Sequence, residues 1–594
     1  MLSRISYFAC ALLMLYASFS FYPKWKQGNS EATISWDASG YYWYLPSFLI
    51  YHDAKHQSFK DSIINKYHPT YDDQQVFMDS ASGSYIMKYS SGVAVMSLPF
   101  FTAAHLLAGA LGYPADGFSA PYQLSLQIGG VLVALLGLWF FRRFLKLYYS
   151  DGVVAMVLLV LVFGTNYLNY SAIDTAMSHN WLFTVYVFLL LATHYYYQTP
   201  KVKYAVAIGL LIGLATLTRP TEIISCLIPI LWGINSVSFA TIKERLNFFK
   251  LHILQLVITA VCAAAVISIQ LIYWKYASGH WLVYSYQDQG FSWLHPHSYV
   301  YALSFKSGWL TYTPMMVLAF AGIIPFAMNG KNKVAVLIFF LLNYYIVSAW
   351  DVWWYGGRAM VQSYPILMIP VAALMEAMTR KRVLQVILIP AILVFAFMNI
   401  WITYAEHRNG IYVPDMMNRH YYKAVVGRFT INDEVWKLLD NEDELFTGTP
   451  KDKKLLYQND FENDTTSHCT LPPISGTQSL CLDKEHKYSP NYTFAYRPGN
   501  LKWLRAEATF RRPSEVWDVW DMAQFNVKFY NKDKEIMIQM IRIDRFMHNR
   551  DTRNVYLDVR TPQQPFDSVT ILLYNGEKDK ILEADNLKVW GFND

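Results

Sequence analysis

The chain has 594 residues, of which 54% are hydrophobic, 17% aromatic and only 16% charged, with a net charge of +6. Ordinary globular domains carry about 25% charged residues, so a cytosolic enzyme, a disordered chain and a simple secreted domain are excluded. The charge is also split: residues 1–404 hold 24 Lys/Arg and 15 Asp/Glu, about 10% of positions, whereas 405–594 hold 26 and 29, about 29%. Nucleic-acid proteins gather cations on one face; here those of the apolar part fall in short clusters between apolar runs, so no nucleic-acid partner is expected.

A membrane helix needs about 20 mostly apolar residues. Taken in chain order, spans are predicted near 5–22, 122–141, 152–168, 181–197, 204–217, 222–234, 251–272, 312–328, 333–349, 362–378 and 383–404. The first is read as a retained anchor, because its small-residue cleavage pattern is poor. Orientation follows the cations near span ends: Arg4, Arg142/Arg143/Lys146, Lys201/Lys203, Lys243/Arg245/Lys250, Lys331/Lys333 and Arg380/Lys381/Arg382. All fall on one side if the apolar run 92–111 lies along the outer interface. The expected topology is therefore eleven spans plus outer juxtamembrane helices, with the amino terminus cytoplasmic and the last 190 residues outside an inner (plasma) membrane. A twelve-span chain, with 92–111 crossing, is the alternative.

This topology gathers the scarce ionisable groups of the apolar part into outer loops, and such groups at membrane depth mark function. The densest stretch is Trp36-Asp37-Ala-Ser-Gly40-Tyr41-Tyr42-Trp43-Tyr44. Desolvation by these rings is expected to raise the Asp37 carboxyl and make it a better proton acceptor; Gly40 reads as a tight turn that places it. An interfacial aromatic belt with a solvated Asp is the plainer alternative. Asp53 follows in Tyr51-His52-Asp53, and Asp72-Asp73 lies in a polar loop and reads as solvated.

A long first outer loop with an acidic residue after the first span resembles the C-type (GT-C) glycosyltransferase superfamily, which includes protein O-mannosyltransferases, lipid A aminoarabinose transferases and oligosaccharyltransferases. Residues 89–146 resemble that group's juxtamembrane helix and second span, ending in the basic Phe141-Arg142-Arg143-Phe144. Gly209-Leu-Leu-Ile-Gly213-Leu-Ala-Thr-Leu-Thr218-Arg219-Pro220 is similar to its Gly-rich fifth span. The resemblance covers roughly 1–404. It implies transfer, with inversion, of a sugar from a polyprenyl-phosphate donor to a glycan, lipid or protein acceptor outside the cytoplasm. In that scheme Asp37, or secondly Asp53, takes the proton of the acceptor hydroxyl. Glu31 and Asp37 lie six apart with no tight acidic pair, so no cofactor is assigned and a divalent metal stays an open alternative.

The leaving phosphate needs fixed positive charge, which the planar fork of arginine suits. Arg358, in Trp354-Tyr355-Gly356-Gly357-Arg358, is the first candidate and Arg219 the second. A snorkelling Arg paired with Asp351 or Glu222 is the structural alternative. Trp36, Tyr41, Tyr42, Tyr286, Gln287, Asp288 and Trp354 supply ring faces and polar groups suited to a sugar. Asp174 and His179 either line the acceptor path or cap the next span. The glycines of 209–213 read as close helix packing and not as a phosphate loop, since no Gly-Lys-Ser/Thr follows.

Three parts are expected: a polytopic catalytic domain at 1–404, a connector at 405–500 with a polar, irregular second half, and an all-β sandwich at 501–594. In the last, 506–510, 525–530, 536–543, 555–559, 568–574 and 586–590 alternate as strands, and its end weakly resembles jelly-roll carbohydrate-binding modules. Trp503, Trp517 and Trp520 read as sugar platforms or core. Cys469 and Cys481, both outside, form an expected disulfide. Two further readings remain: a lipid-linked oligosaccharide carrier, which would place polar groups inside the spans, and a scaffold that displays a sugar-binding domain.

Overall fold

The computed structural model describes residues 1–70, 75–351, 355–414, 416–441, 445–463, 471–496, 501–514, 516, 519–547, 551–576 and 580–594. They form two compact units, Met1–Gly410 and Ile411–Asp594.

The first unit is helical. Its elements are α1 (Leu2–Tyr16), α2 (Trp36–Tyr42), α3 (Tyr44–Leu49), α4 (Lys60–Tyr67), the hairpin β1 (Val76–Asp79) and β2 (Ser84–Met87), α5 (Gly92–Ala108), α6 (Ala120–Leu145), α7 (Asp151–Gly164), α8 (Ser178–Gln198) and α9 (Val202–Thr218). There follow α10 (Leu227–Leu231), α11 (Phe239–Leu251), α12 (Ile253–Ser278), α13 (Ser298–Leu303), α14 (Trp309–Tyr312), α15 (Val317–Asn329), α16 (Lys333–Ala349), α17 (Tyr364–Arg380) and α18 (Arg382–His407).

Among the described residues six helical stretches are long and apolar enough to cross a membrane: Leu2–Lys26, Gly92–Leu111, Ala120–Leu145, Ile253–Ser278, Gly356–Arg380 and Arg382–His407. Five apolar helices are shorter: Asp151–Gly164, Val202–Thr218, Pro220–Leu231, Pro314–Asn329 and Lys333–Ala349. Each of the eleven expected spans falls on one of these or on α8. The run 92–111, expected along the interface, has the length and apolarity of a crossing helix, carries Pro99 within it and packs on α6.

Close packing holds the bundle. α1 packs on α7, α15 on α17 and α9 on α12. A methyl added at Gly213 would stand 2.8 Å from the Ala263 carbonyl, and one at Gly209 would strike the Thr259 carbonyl. The small residues of α9 thus let two backbones approach, as their spacing led us to expect.

Among its described residues the second unit contains α19 (Arg419–Val425), α20 (Asp433–Asp440) and nine strands: β3 (Lys451–Asn459), β4 (Leu480–Leu482), β5 (Tyr492–Ala495), β6 (Trp503–Arg511), β7 (Gln524–Asn531), β8 (Lys534–Arg542), β9 (Thr552–Arg560), β10 (Ser568–Tyr574) and β11 (Leu582–Asn593). One antiparallel sheet has the order β5-β10-β7-β8; the other is β3-β11-β6-β9, with β4 also on β11. Alternate residues face a common core: Leu504, Ala506, Ala508 and Phe510 from β6, Phe525, Val527 and Phe529 from β7, Val569, Ile571 and Leu573 from β10. All six strands expected from alternation are present. The stretch 441–500, read as polar and irregular, supplies three more. β3 was hidden because its Lys451, Lys453 and Lys454 are exposed, a composition common on sheet edges.

Trp503 is a core residue, 6% exposed, and its Nε1 donates to Asp594 at 2.6 Å, so it is no sugar platform. Trp520 is exposed, and Trp517 lies outside the described residues. Cys481 is buried on β4; Cys469 lies outside the described residues, and the expected disulfide with it.

Overpacking a tight contact costs about 1–3 kcal/mol. Gly213→Leu is therefore expected to lower the thermal midpoint of the detergent-solubilised chain, with Gly152→Ala, which meets no neighbour within 4 Å, as the neutral control. Equal midpoints for the two variants would contradict close packing of α9 on α12.

Candidate functional site

The site begins at the short helix α2. Ser35 precedes it in extended conformation, and Trp36 enters it with φ 46°, in the left-handed region. A bulky residue held there costs on the order of 1–3 kcal/mol and persists only where its surroundings enforce it. Here the Trp36 amide donates to the Pro69 carbonyl at 3.0 Å, which fixes the entry. Asp37 follows in the first turn, where the helix N-terminus favours a carboxylate.

Gly40 does not form the turn expected of it. It lies inside α2, where a methyl would come within 2.5 Å of the Tyr89 ring and of Gln75 Oε1. Its absence lets Tyr89 lie against the helix. The Tyr89 hydroxyl then donates to Asp37 Oδ1 at 2.7 Å, and its ring packs on Tyr41 with centroids 4.5 Å apart.

The other carboxylate oxygen is taken from far along the chain. Arg358 Nη2 donates to Asp37 Oδ2 at 2.7 Å. Arg358 lies in the kinked turn Tyr355–Ser363, where Gly356 and Gly357 have φ 52° and 66°. Two successive left-handed residues favour glycine, and a methyl at Gly357 would meet Trp309 at 2.5 Å. The Gly356 carbonyl accepts from Asn166 Nδ2 at 2.8 Å, which ties the turn to the bundle. The pair stays reachable from solvent, with 25% of the Arg358 side chain and 21% of that of Asp37 exposed.

Arg358 therefore pairs with Asp37, not with Asp351, the neighbour considered from the sequence. Asp351 instead accepts from Ser292 Oγ at 2.8 Å and lies 3.2 Å from His297 Nε2. Arg219, at the end of α9, is within electrostatic reach of Arg358, Tyr41, Tyr286 and Glu222. Lys88, which sequence reasoning missed, is coupled to Asp37 and Asp288. Two cations, Arg358 and Lys88, thus act on Asp37, and Arg219 lies within reach of Arg358, a grouping suited to an anionic group.

The electrostatics correct the expected basicity of Asp37. Burial raises its carboxyl, as expected from the rings. Arg358, the Tyr89 hydrogen bond and Lys88 outweigh that and hold it below the usual carboxylate range. Burial and the adjacent Asp37 charge push the Tyr89 hydroxyl well up, so it remains a donor. Burial pulls Lys88 below its ordinary range, against the attraction of Asp37.

A buried polar chain stands behind the arginines. Tyr186 donates to Glu222, and Gln362 Nε2 donates to Glu222 Oε1 at 3.1 Å. This turns Gln362 Oε1 toward His179 Nδ1, 2.8 Å away. With that amide orientation Nδ1 carries the proton and Nε2 a lone pair. His179 is wholly buried, near Arg219 and Arg358.

Other expected residues lie elsewhere. Asp53 holds its own loop, accepting from the His56 amide, the Ser58 amide and Ser58 Oγ at 2.9, 2.9 and 2.7 Å. That environment suits a structural role and not a base. Tyr42 is buried and donates to the Gly117 carbonyl, so it is core and not a sugar contact. Asp174 pairs with Lys24 and accepts from Asn169 Nδ2 at 2.9 Å. Tyr286 packs edge-on against Tyr89 and Trp350, while Gln287 and Asp288 are exposed in the same loop. Trp36 is 37% exposed beside Asp37. Trp354 and Asp72-Asp73 lie outside the described residues.

Among the described residues no three His, Cys, Asp or Glu side chains converge as a metal site. The groups around Asp37 are donors and cations, a set that does not fit a divalent ion.

No protein-family profile and no curated protein matches the chain. Among solved structures it is similar to an archaeal oligosaccharyltransferase from Archaeoglobus fulgidus, bound to an inhibitory peptide and a dolichol-phosphate, with 13% identity and a TM-score of 0.40 over 71% of this chain. The apo form of the Archaeoglobus fulgidus oligosaccharyltransferase gives 14% identity and 0.39 over the same share. In each case the match spans 57% of the solved chain.

Arg358→Gln is expected to move protonation of Asp37 to higher pH, and Tyr89→Phe to move it in the same direction, since both partners hold the carboxyl low. Carbodiimide labelling of Asp37, read by mass spectrometry across a pH series in native membranes, checks this. An unchanged labelling midpoint in Arg358→Gln would contradict the ion pair.

Proposed function

We propose that the chain transfers a sugar from a polyprenyl-phosphate donor to an acceptor hydroxyl outside the cytoplasm, as an integral membrane glycosyltransferase. The observation that carries the reading is the convergence of one carboxylate, Asp37, with Arg358, Arg219 and Lys88 among the rings of Tyr41, Tyr89 and Tyr286. The amino terminus is then cytoplasmic and the C-terminal unit extracytoplasmic.

In this mechanism the unliganded site holds Asp37 ionised against Arg358. The donor phosphate draws the guanidinium fork toward its own oxygens. Asp37 loses part of its partner's field and becomes more basic. The acceptor hydroxyl gives its proton to Asp37 while its oxygen bonds to the anomeric carbon. The bond from that carbon to the phosphate oxygen breaks, and the electron pair leaves with the polyprenyl phosphate. Arg358 and Arg219 stabilise that developing charge, often the largest catalytic contribution.

The carrier reading draws on a different observation, the buried Glu222–Gln362–His179 chain inside the bundle, since polar groups at membrane depth also mark transport paths. The two readings part on bond cleavage: a carrier moves the lipid-linked sugar intact.

General-base removal costs about 10²–10⁴-fold. In native-membrane vesicles, which hold the acceptor, given a labelled polyprenyl-phosphate hexose, Asp37→Asn is expected to lose sugar release from the donor by about that factor, while Asp53→Asn keeps it. Sugar movement across the bilayer without cleavage would support the carrier, and full release by Asp37→Asn would contradict the assigned base.

A further inference from the structure

Between α10 and α12 the chain carries Lys243, Arg245 and Lys250 against one acid, Glu244, over residues 236–256. The middle of this stretch folds as α11, a helix of 13 residues none of which is buried. Ser238 caps its start by accepting from the Thr241 amide at 3.1 Å. One side is held to the bundle. The Phe248 ring stacks on Tyr197 with centroids 5.1 Å apart, and the Arg245 guanidinium lies 4.5 Å from the same ring and donates to the Trp232 carbonyl.

The rest of the helix is divided by chemistry. At 3.6 residues per turn, Phe239, Ile242 and Leu246 project within about 60° of one another. They are 84%, 47% and 54% exposed, so this apolar stripe is largely uncovered. Lys243 and Lys250 come next around the helix, within about 40° of the stripe, and both are exposed. The exposed Asn247 and Glu244 follow, farther from the stripe. The order apolar, cationic, polar is that of a helix lying in a membrane interface. Its apolar side chains enter the acyl boundary, and lysines at the border lift their ammonium groups to the headgroups.

The place in the chain adds the second argument. α11 ends at His252, with φ −112° and ψ 29°, and α12 starts at the next residue. α12 is one of the long apolar stretches, and its first turns expose Ile253, Leu254 and Val257. α11 is thereby joined to the chain at the level where α12 would enter a bilayer. Gln255 Nε2 donates to the Pro200 carbonyl at 3.2 Å, which brings the exposed Lys201 and Lys203 to the same level. Four exposed lysines thus accompany a single exposed acid, Glu244, in these segments. Such a group at a membrane surface attracts anionic lipid.

We infer that α11 docks on the membrane surface and gathers anionic phospholipid headgroups through Lys243 and Lys250. Its residues take no part in the Asp37 site, and the inference is independent of the transferase reading.

Site-specific quenching tests it. Full-length Leu246→Cys and Glu244→Cys are labelled with bimane and placed in lipid nanodiscs, with the labelled native chain as the background for its own cysteines. Leu246→Cys is expected to be quenched by lipids that carry a nitroxide near the headgroup and spared by iodide in the water, and Glu244→Cys the reverse. At equal mole fraction, nitroxide-labelled phosphatidylglycerol is expected to quench Leu246→Cys about two-fold or more strongly than nitroxide-labelled phosphatidylcholine. Adding Lys243→Gln and Lys250→Gln is expected to bring that ratio to about one, whereas Lys243→Arg with Lys250→Arg, which controls for folding, keeps it. Equal quenching of Leu246→Cys by the two lipids, or an unchanged ratio in the glutamine variant, overturns the inference. So does quenching of Leu246→Cys by iodide, or its protection from both quenchers, as a second copy or another protein over the stripe would give.

Discussion

The contact on which the candidate site depends is the ion pair between Asp37 and Arg358, 321 residues apart in sequence. A lone charge at the edge of an apolar bundle is expensive, and pairing is what makes it tolerable. The pair joins α2 to the kinked turn before α17. Each partner is prepared by its own backbone: Asp37 by the left-handed entry at Trp36, Arg358 by Gly356 and Gly357. Tyr89 reaches the other oxygen of Asp37 because Gly40 leaves room for its ring. The strained and glycine positions of this region therefore serve one arrangement.

That arrangement has an electrostatic imbalance. Asp37 faces both Arg358 and Lys88, Arg219 lies within reach of Arg358, and its neighbour Glu222 is already committed to Tyr186 and Gln362. An anion entering the cluster would relieve the excess and at the same time compete for the fork that restrains Asp37. In the proposed reaction, donor binding and activation of Asp37 are thereby coupled through a single guanidinium. Behind it, the Gln362–His179 contact fixes one imidazole tautomer next to the arginines without adding a further charge.

Much of this was legible in the sequence because it rests on local pattern. Apolar runs located the long apolar helices of the bundle but not the short α2, α3, α4, α13 and α14 or the polar α11, and alternation placed β6 to β11. Scarcity singled out Asp37, Arg219 and Arg358, since few ionisable groups occur in the apolar part. What was not legible depends on contacts between distant segments. Tyr89 reaches Asp37 across 52 residues and Gln362 reaches His179 across 183, and neither carries a motif. The basicity of Asp37 was misjudged because its aromatic neighbours are adjacent in sequence and its cations are not. Tyr42 resembled a sugar contact because its buried bond to Gly117 arises only from the fold. β3 escaped because its exposed lysines mimic a loop.

The central claim is that Asp37, Arg358 and Arg219 form one phosphate-directed site. Electron cryomicroscopy of the full chain in nanodiscs with a polyprenyl phosphate tests it most directly. The account predicts phosphate density within hydrogen-bond distance of Arg358 and Arg219, with the Arg358 fork turned from Asp37 toward it. Phosphate bound away from both arginines, with the Asp37–Arg358 pair intact, would contradict it.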